Sequence, residues 1–88
     1  MGMPCQVNSI LKLKSGESFP AVLTVGDRHR AIKQGYRILP LDVPLPLVDS
    51  DWMAWADVIV RQLIWEHGTT TLIFEIARLY PAPFSMQG

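Results

Sequence analysis

Hydrophobic and polar positions change period several times along the chain, and each change marks an element. Leu11 and Leu13 alternate with Lys12 and Lys14, the two-residue period of a half-buried strand. Residues 15–18 (SGES) form a turn by composition. Residues 21–25 (AVLTV) are a second short β-rich run, stopped by Gly26 and Asp27. Residues 36–39 (YRIL) read as a third strand, ended by Pro40, which has no N–H to give to a ladder. Beyond it, Pro44 and Pro46 interleave with aliphatic residues. That pattern predicts an extended or polyproline-II arm, unsuited to a helix interior or a central strand. Leu41, Val43, Leu45 and Leu47 share one parity, so the arm either wraps its own sheet or docks on a neighbour.

Residues 50–68 admit two readings. As a helix, Ser50 is the N-cap and Gly68 the stop, with Trp52, Trp55, Ala56, Ile59, Val60 and Leu63 on one face. As a hairpin, residues 56–66 run out, residues 66–69 turn, and residues 70–80 return. Three threonines, Leu72, Ile73 and Phe74 make the returning run strongly β. Its nearest pairing partner is the run just before it, so the hairpin is the preferred reading. Leu72, Phe74 and Ile76 share the core face of the return. The outgoing run is apolar on both parities, which predicts either a strand covered on both sides or a bulge near Arg61 and Gln62.

These elements predict a mainly β protein: a small antiparallel sheet of about five strands, curled or closed into a barrel, with a Pro-rich arm. The alternative is α+β, with one helix at 50–66. The expected core holds Leu11, Leu13, Val22, Ile38, Leu63, Trp65, Leu72, Phe74 and Ile76. Eighty-eight residues allow one domain, 1–88, with residues 81–88 as a frayed tail.

Composition narrows the function classes. The chain is 49% hydrophobic and 18% charged, with a mean hydropathy of +0.19, which excludes a disordered segment. One cysteine excludes an internal disulfide framework and any zinc site built on several cysteines. The N-terminus has no basic stretch followed by an apolar run, and nothing approaches the length of a membrane span, so the expected compartment is the cytoplasm. Eight basic residues balance eight acidic ones, but unevenly. Residues 1–44 hold six basic against three acidic side chains, a local charge of +3; residues 45–88 hold two against five, a local charge of −3.

Candidate chemistry is sparse. Cys5, His29 and Asp42 supply the residue types of a nucleophilic triad, but no spacing brings them together. His29 lies between two arginines, a poor setting for a proton acceptor. His67 falls in the expected turn. Two histidines 38 positions apart make no metal motif, and Gly26 and Gly35 make no phosphate loop. No catalytic, cofactor or metal residue is assigned. Two binding surfaces remain. Trp52, Met53 and Trp55, together with Leu45 and Leu47 of the arm, are aromatic and aliphatic groups of the kind found at interface centres. Arg28, Arg30, Lys33 and Arg37, with Tyr36 among them, offer cations and a stacking ring to RNA or single-stranded DNA.

The opening Met1-Gly2-Met3-Pro4, the run Lys33-Gln34-Gly35-Tyr36-Arg37-Ile38-Leu39-Pro40-Leu41-Asp42-Val43-Pro44, and Gly68-Thr69-Thr70-Thr71 together resemble a family of small uncharacterised bacterial proteins. The specific part is K-x-G-Y-R-I-x-P-x-D-x-P. The resemblance implies a small cytoplasmic bacterial protein and supplies no activity or site residue. The expected function is therefore a non-catalytic module that associates with itself or with a protein partner, without a cofactor. A small nucleic-acid-binding module is the alternative.

Overall fold

Two long strands organise the molecule in a computed structural model that describes residues 8–13, 20 and 22–86. They are β4 (Met53–Glu66) and β5 (Thr69–Ser85), and they pair antiparallel from Glu66↔Thr69 to Met53↔Ser85. His67 (φ 52°) and Gly68 (φ 76°) turn the chain between them. Two successive left-handed residues match the right-handed twist of the flanking strands, which is why a two-residue turn closes here. The hairpin reading of this region therefore holds, and the helix over 50–66 does not form: threonine, valine and isoleucine lose too much side-chain freedom in a helix and pack well on a sheet.

The remaining strands are β1 (Leu11–Lys12), β2 (Arg28–Gln34) and β3 (Pro44–Val48). The sheet order is β1-β3-β4-β5-β2. Pairing is antiparallel except for β1 on β3, which is parallel. The sheet is thus mixed and does not close into a barrel, and no helix occurs among the described residues.

Of the two alternatives for the outgoing run, the bulge near Arg61 is the one that forms. Val60 pairs with Phe74 and Gln62 with Ile73, so Arg61 is an extra residue on β4. Parity changes there. Ala54, Ala56, Val58 and Val60 point into the core before it, and Leu63 packs against the core after it. Both apolar parities of β4 are thereby used without a second covering layer. On β5, Leu72, Phe74 and Ile76 are fully buried, as expected, and meet Leu11, Leu13, Leu45, Leu47, Val58 and Val60. Thr70 is buried with them. Its Oγ1 accepts from Arg37 N (2.7 Å) and donates to Gly35 O (2.9 Å), which meets the requirement that a buried hydroxyl be paired.

Several expectations fail for identifiable reasons. Residues 22–25 are bend and turn, and Val22 is 71% exposed; Ala21 lies outside the described residues, as does the turn expected at 15–18. Residues 36–39 form no strand beyond a single bridge at Ile38: Gly35 (φ 80°) turns the chain out of β2, and Asn8 N–H donates to Ile38 O. Only Leu39 of that stretch is buried. The charged segment 28–34 is instead a strand, with His29, Ala31 and Lys33 inward and Arg28, Arg30, Ile32 and Gln34 exposed. Part of the Pro-rich arm is an interior strand after all. Leu13 N–H donates to Val48 O, so the β1-facing side of β3 also carries Pro46 and Pro44 by alternation. Strand β1 pairs only with Leu47 and Val48, so no ladder bond is lost at either proline. Residues 81–85, read as tail, continue β5, while residues 87 and 88 lie outside the described residues. Trp65, expected in the core, is 52% exposed. It sits beside the hairpin turn, where the buried face has run out.

Candidate interaction surfaces

The link from β3 to β4 is built on one carboxylate. Asp49 Oδ1 accepts from Asp51 N (2.8 Å) and Met53 N (3.0 Å), while Oδ2 accepts from Trp55 Nε1 (2.8 Å). Asp49 N–H also donates to Met53 O, and Trp52 N–H to Asp49 O. Partial burial pushes the Asp49 carboxyl up, but the three hydrogen bonds to its charged form together outweigh this and hold it below its ordinary range. The loop is tight enough to force Trp52 to a φ of 63°. Trp52 is half-buried, with Lys12 Nζ 4.1 Å above its ring, and its carbonyl accepts from Met86 N–H (2.7 Å). Met53 is also half-buried.

Trp55 is different. The β3–β4 register passes from Leu47↔Ala56 to Val48↔Ala54, leaving Trp55 as the extra residue of a bulge. Its indole nitrogen is satisfied by Asp49, and the residue is 38% exposed. Opposite it, β5 passes from Leu79 to Phe84 while β4 advances only from Ala56 to Ala54. Leu79 is 40% and Phe84 46% exposed. The Tyr80 and Phe84 rings lie 5.0 Å apart, and Tyr80 OH donates to Asp57 Oδ1. Burial, then the hydrogen bond and negative charge of Asp57, push the Tyr80 phenol up to about 12, against the opposing effect of Arg78. The open end of the β4–β5 ribbon thus shows three large apolar side chains, one of them held by a hydrogen bond at its tip. Leu45 and Leu47, assigned to this surface from sequence, are buried in the molecule's own core. Leu79 and Phe84 were missed; the Pro81-Ala82-Pro83 interruption beside them was the available signal.

The basic segment does not form one patch. Arg28 and Arg30 are exposed on the outer face of β2, where Arg28 Nε meets Glu75 Oε1 at 3.2 Å. Lys33 is half-buried on the opposite face, with its ammonium on the Lys12 carbonyl. Arg37 Nε donates to Gln34 O (3.1 Å). The Tyr36 hydroxyl accepts from Gly68 N (3.0 Å), leaving its ring 63% exposed. Strand alternation separates Arg28 and Arg30 from Lys33.

Of the nucleophilic residue types, His29 and Asp42 are the described ones. His29 packs its ring 5.6 Å from that of Phe74, and its Nε2 is buried without a hydrogen-bond partner. Asp42 holds Arg61 at 2.7 Å, remote in sequence from His29, and Cys5 lies outside the described residues. Among the described residues, no three His, Cys, Asp or Glu side chains are grouped to hold a metal ion, and no helix is long and apolar enough to cross a membrane.

Neither a protein-family model nor a curated protein matches the chain. Among solved structures it is similar to the crystal structure of protein ytmB from Bacillus subtilis, at 26% identity over 91% of this chain and 95% of that chain, with a TM-score of 0.72. The small all-β architecture is therefore shared, almost end to end, with a bacterial protein.

Proposed function

We propose that the protein is a non-catalytic interaction module that docks on a protein partner through the open end of its β4–β5 ribbon. One observation carries this reading: Trp55, Leu79 and Phe84 expose large apolar surface from neighbouring positions of paired strands. Removing such surface from water contributes about 25 cal/mol per Å². Trp55 is already held by Asp49, so its indole loses little rotamer freedom on docking. Trp52 and Met53 support the site as half-buried flanks. The module works without a cofactor, and we place it in the bacterial cytoplasm on the likeness to a bacterial protein and the single cysteine. The sequence motif K-x-G-Y-R-I-x-P-x-D-x-P is, on this reading, the mark of a wider group of such modules.

The test is affinity capture from a bacterial host with wild type, Trp55→Ala and Phe84→Ala. A partner retained by wild type and lost with both variants, while circular dichroism stays native, supports the reading. Equal capture by all three overturns it. Nucleic-acid binding is less well supported, because Lys33 and Arg37 are engaged with backbone carbonyls. Salt-sensitive retention of wild type on RNA would reverse that ranking.

A further inference from the structure

The outer face of the sheet carries a second apolar surface, distinct from the Trp55 end. In register, Ile32 of β2 stands beside Thr71 of β5, and Thr71 beside Ile64 of β4. One row on, Arg30, Ile73 and Gln62 are neighbours in the same way; in the opposite direction the row is Gln34, Thr69 and Glu66. These residues share the face opposite Ala31 and Leu72, which are buried. Ile32 is 45% and Ile64 39% exposed, and Ile73 is half-buried. Further along, the face becomes ionic: Glu75 lies 3.2 Å from Arg28 and 3.8 Å from Arg61, and Arg61 lies 2.7 Å from Asp42. The result is an isoleucine centre with a charged border, the layout of a protein interface.

We infer that a second copy of this chain covers this face, in a two-fold dimer whose axis runs along β5 between the two sheets, over Thr71 and Ile73. The register makes the face its own complement. Reflection across β5 exchanges Ile32 with Ile64, Arg30 with Gln62, and Gln34 with Glu66. Face-to-face packing along that axis therefore sets isoleucine on isoleucine, guanidinium on amide, and amide on carboxylate. No charge in these three rows meets its like. The two sheets cross at about 30° because each is twisted, so contact concentrates at the centre. Glu75 follows Ile73 along the axis and comes nearest its own copy, its charge offset inside each chain by Arg28 at 3.2 Å and Arg61 at 3.8 Å. A patch this small gives a weak dimer that forms with rising concentration.

Thr71 lies on the proposed axis, which makes it the test position. Sheets packed face to face are about 10 Å apart, too far for a direct disulfide at this site. A short bis-maleimide spans the gap. In a Cys5→Ser background, Thr71→Cys is expected to cross-link at least about tenfold faster than Ser50→Cys, in the β3–β4 turn, because the axis holds the two thiols at high effective concentration. Sedimentation of wild type is expected to shift from one chain toward two as the protein approaches about 1 mM. Ile64→Lys is expected to stay at one chain throughout, and Trp55→Ala to dimerise like wild type. A wild type that remains a single chain at the top concentration overturns the inference. So does a dimer dissolved by Trp55→Ala and untouched by Ile64→Lys, which would move self-association to the ribbon end.

Discussion

Strand β4 is flanked by two Pro-x-Pro segments, and they behave differently. In β3, Pro44-Leu45-Pro46-Leu47 pairs with Ile59 to Ala56 without a register change. In β5, Pro81-Ala82-Pro83-Phe84 falls where five steps of that strand oppose two of β4. Proline content does not separate them, nor does edge position. Strand β2 reaches only to Glu75 of β5, so both segments have one side free of a long partner. The difference lies in the residues that alternate with the prolines. Leu45 and Leu47 are buried at 4% and 0%, whereas Ala82 is exposed. A leucine committed to the core fixes the register of its strand, because a one-residue slip would turn it to solvent. An exposed alanine fixes nothing, and the chain follows proline's own preference.

The sharpest way to break this comparison is in the core that anchors β3. Leu47→Ala is expected to cost about 2–5 kcal/mol, close to the roughly 3–5 kcal/mol expected for Phe74→Ala on β5. Phe84→Ala is expected to stay within about 0.5 kcal/mol of wild type. Chemical denaturation of the three variants measures all of these. A Phe84 variant as costly as Leu47→Ala would show that the second segment is anchored after all.

Next in size is the ionisation of Tyr80, which ties the irregular part of β5 to β4. Its raised value means that the phenol–Asp57 interaction stabilises the fold below pH 10 and is lost as pH rises toward about 12. Absorbance titration is expected to show this late tyrosine, and Asp57→Asn to bring it down part of the way, since burial remains. A Tyr80 that titrates identically in both proteins would detach it from Asp57.

The smallest effect is expected at Asp49. Its lowered value means a contribution that is complete at neutral pH and disappears as pH falls through the acid range below the ordinary carboxylate value. Asp49→Asn is expected to flatten the acid limb of stability followed by tryptophan fluorescence. An unchanged limb would remove Asp49 as the organiser of the loop that presents Trp55.

Much of the core was legible because it obeys a simple period. The alternation of Leu72, Phe74 and Ile76 and the turn at Gly68 fit the hairpin, and the parity conflict around Arg61 left two options, a covered strand or a bulge, of which the bulge forms. Strand β2 was hidden because its outward positions carry arginine and glutamine and its inward ones a histidine and a lysine, so alternation left almost no hydrophobic trace. Trp65 and Val22 misled in the opposite sense: Trp65 lies at the end of β4, past the buried face, and Val22 lies in a bend outside every strand. Trp55 is exposed, whereas Leu45 and Leu47, which share its candidate surface by parity alone, are buried: parity does not tell an internal face from an external one. Exposure of Ile32 and Ile64 became meaningful only once the register set them in one row.

Arg61 also has a meaning for editing the chain. It is the one residue by which β4 exceeds its partner between Val60 and Gln62, so deleting it joins two segments that already share a frame. Val60 keeps Phe74, Gln62 keeps Ile73 and Leu63 keeps Leu72, now as an unbroken ladder. Deleting Ile59 or Val60 would instead displace side chains from the core. The sequence thus contains a position where a codon can be lost without scrambling the sheet. What disappears with it is the guanidinium that links Asp42, in the approach to β3, with Glu75 on β5.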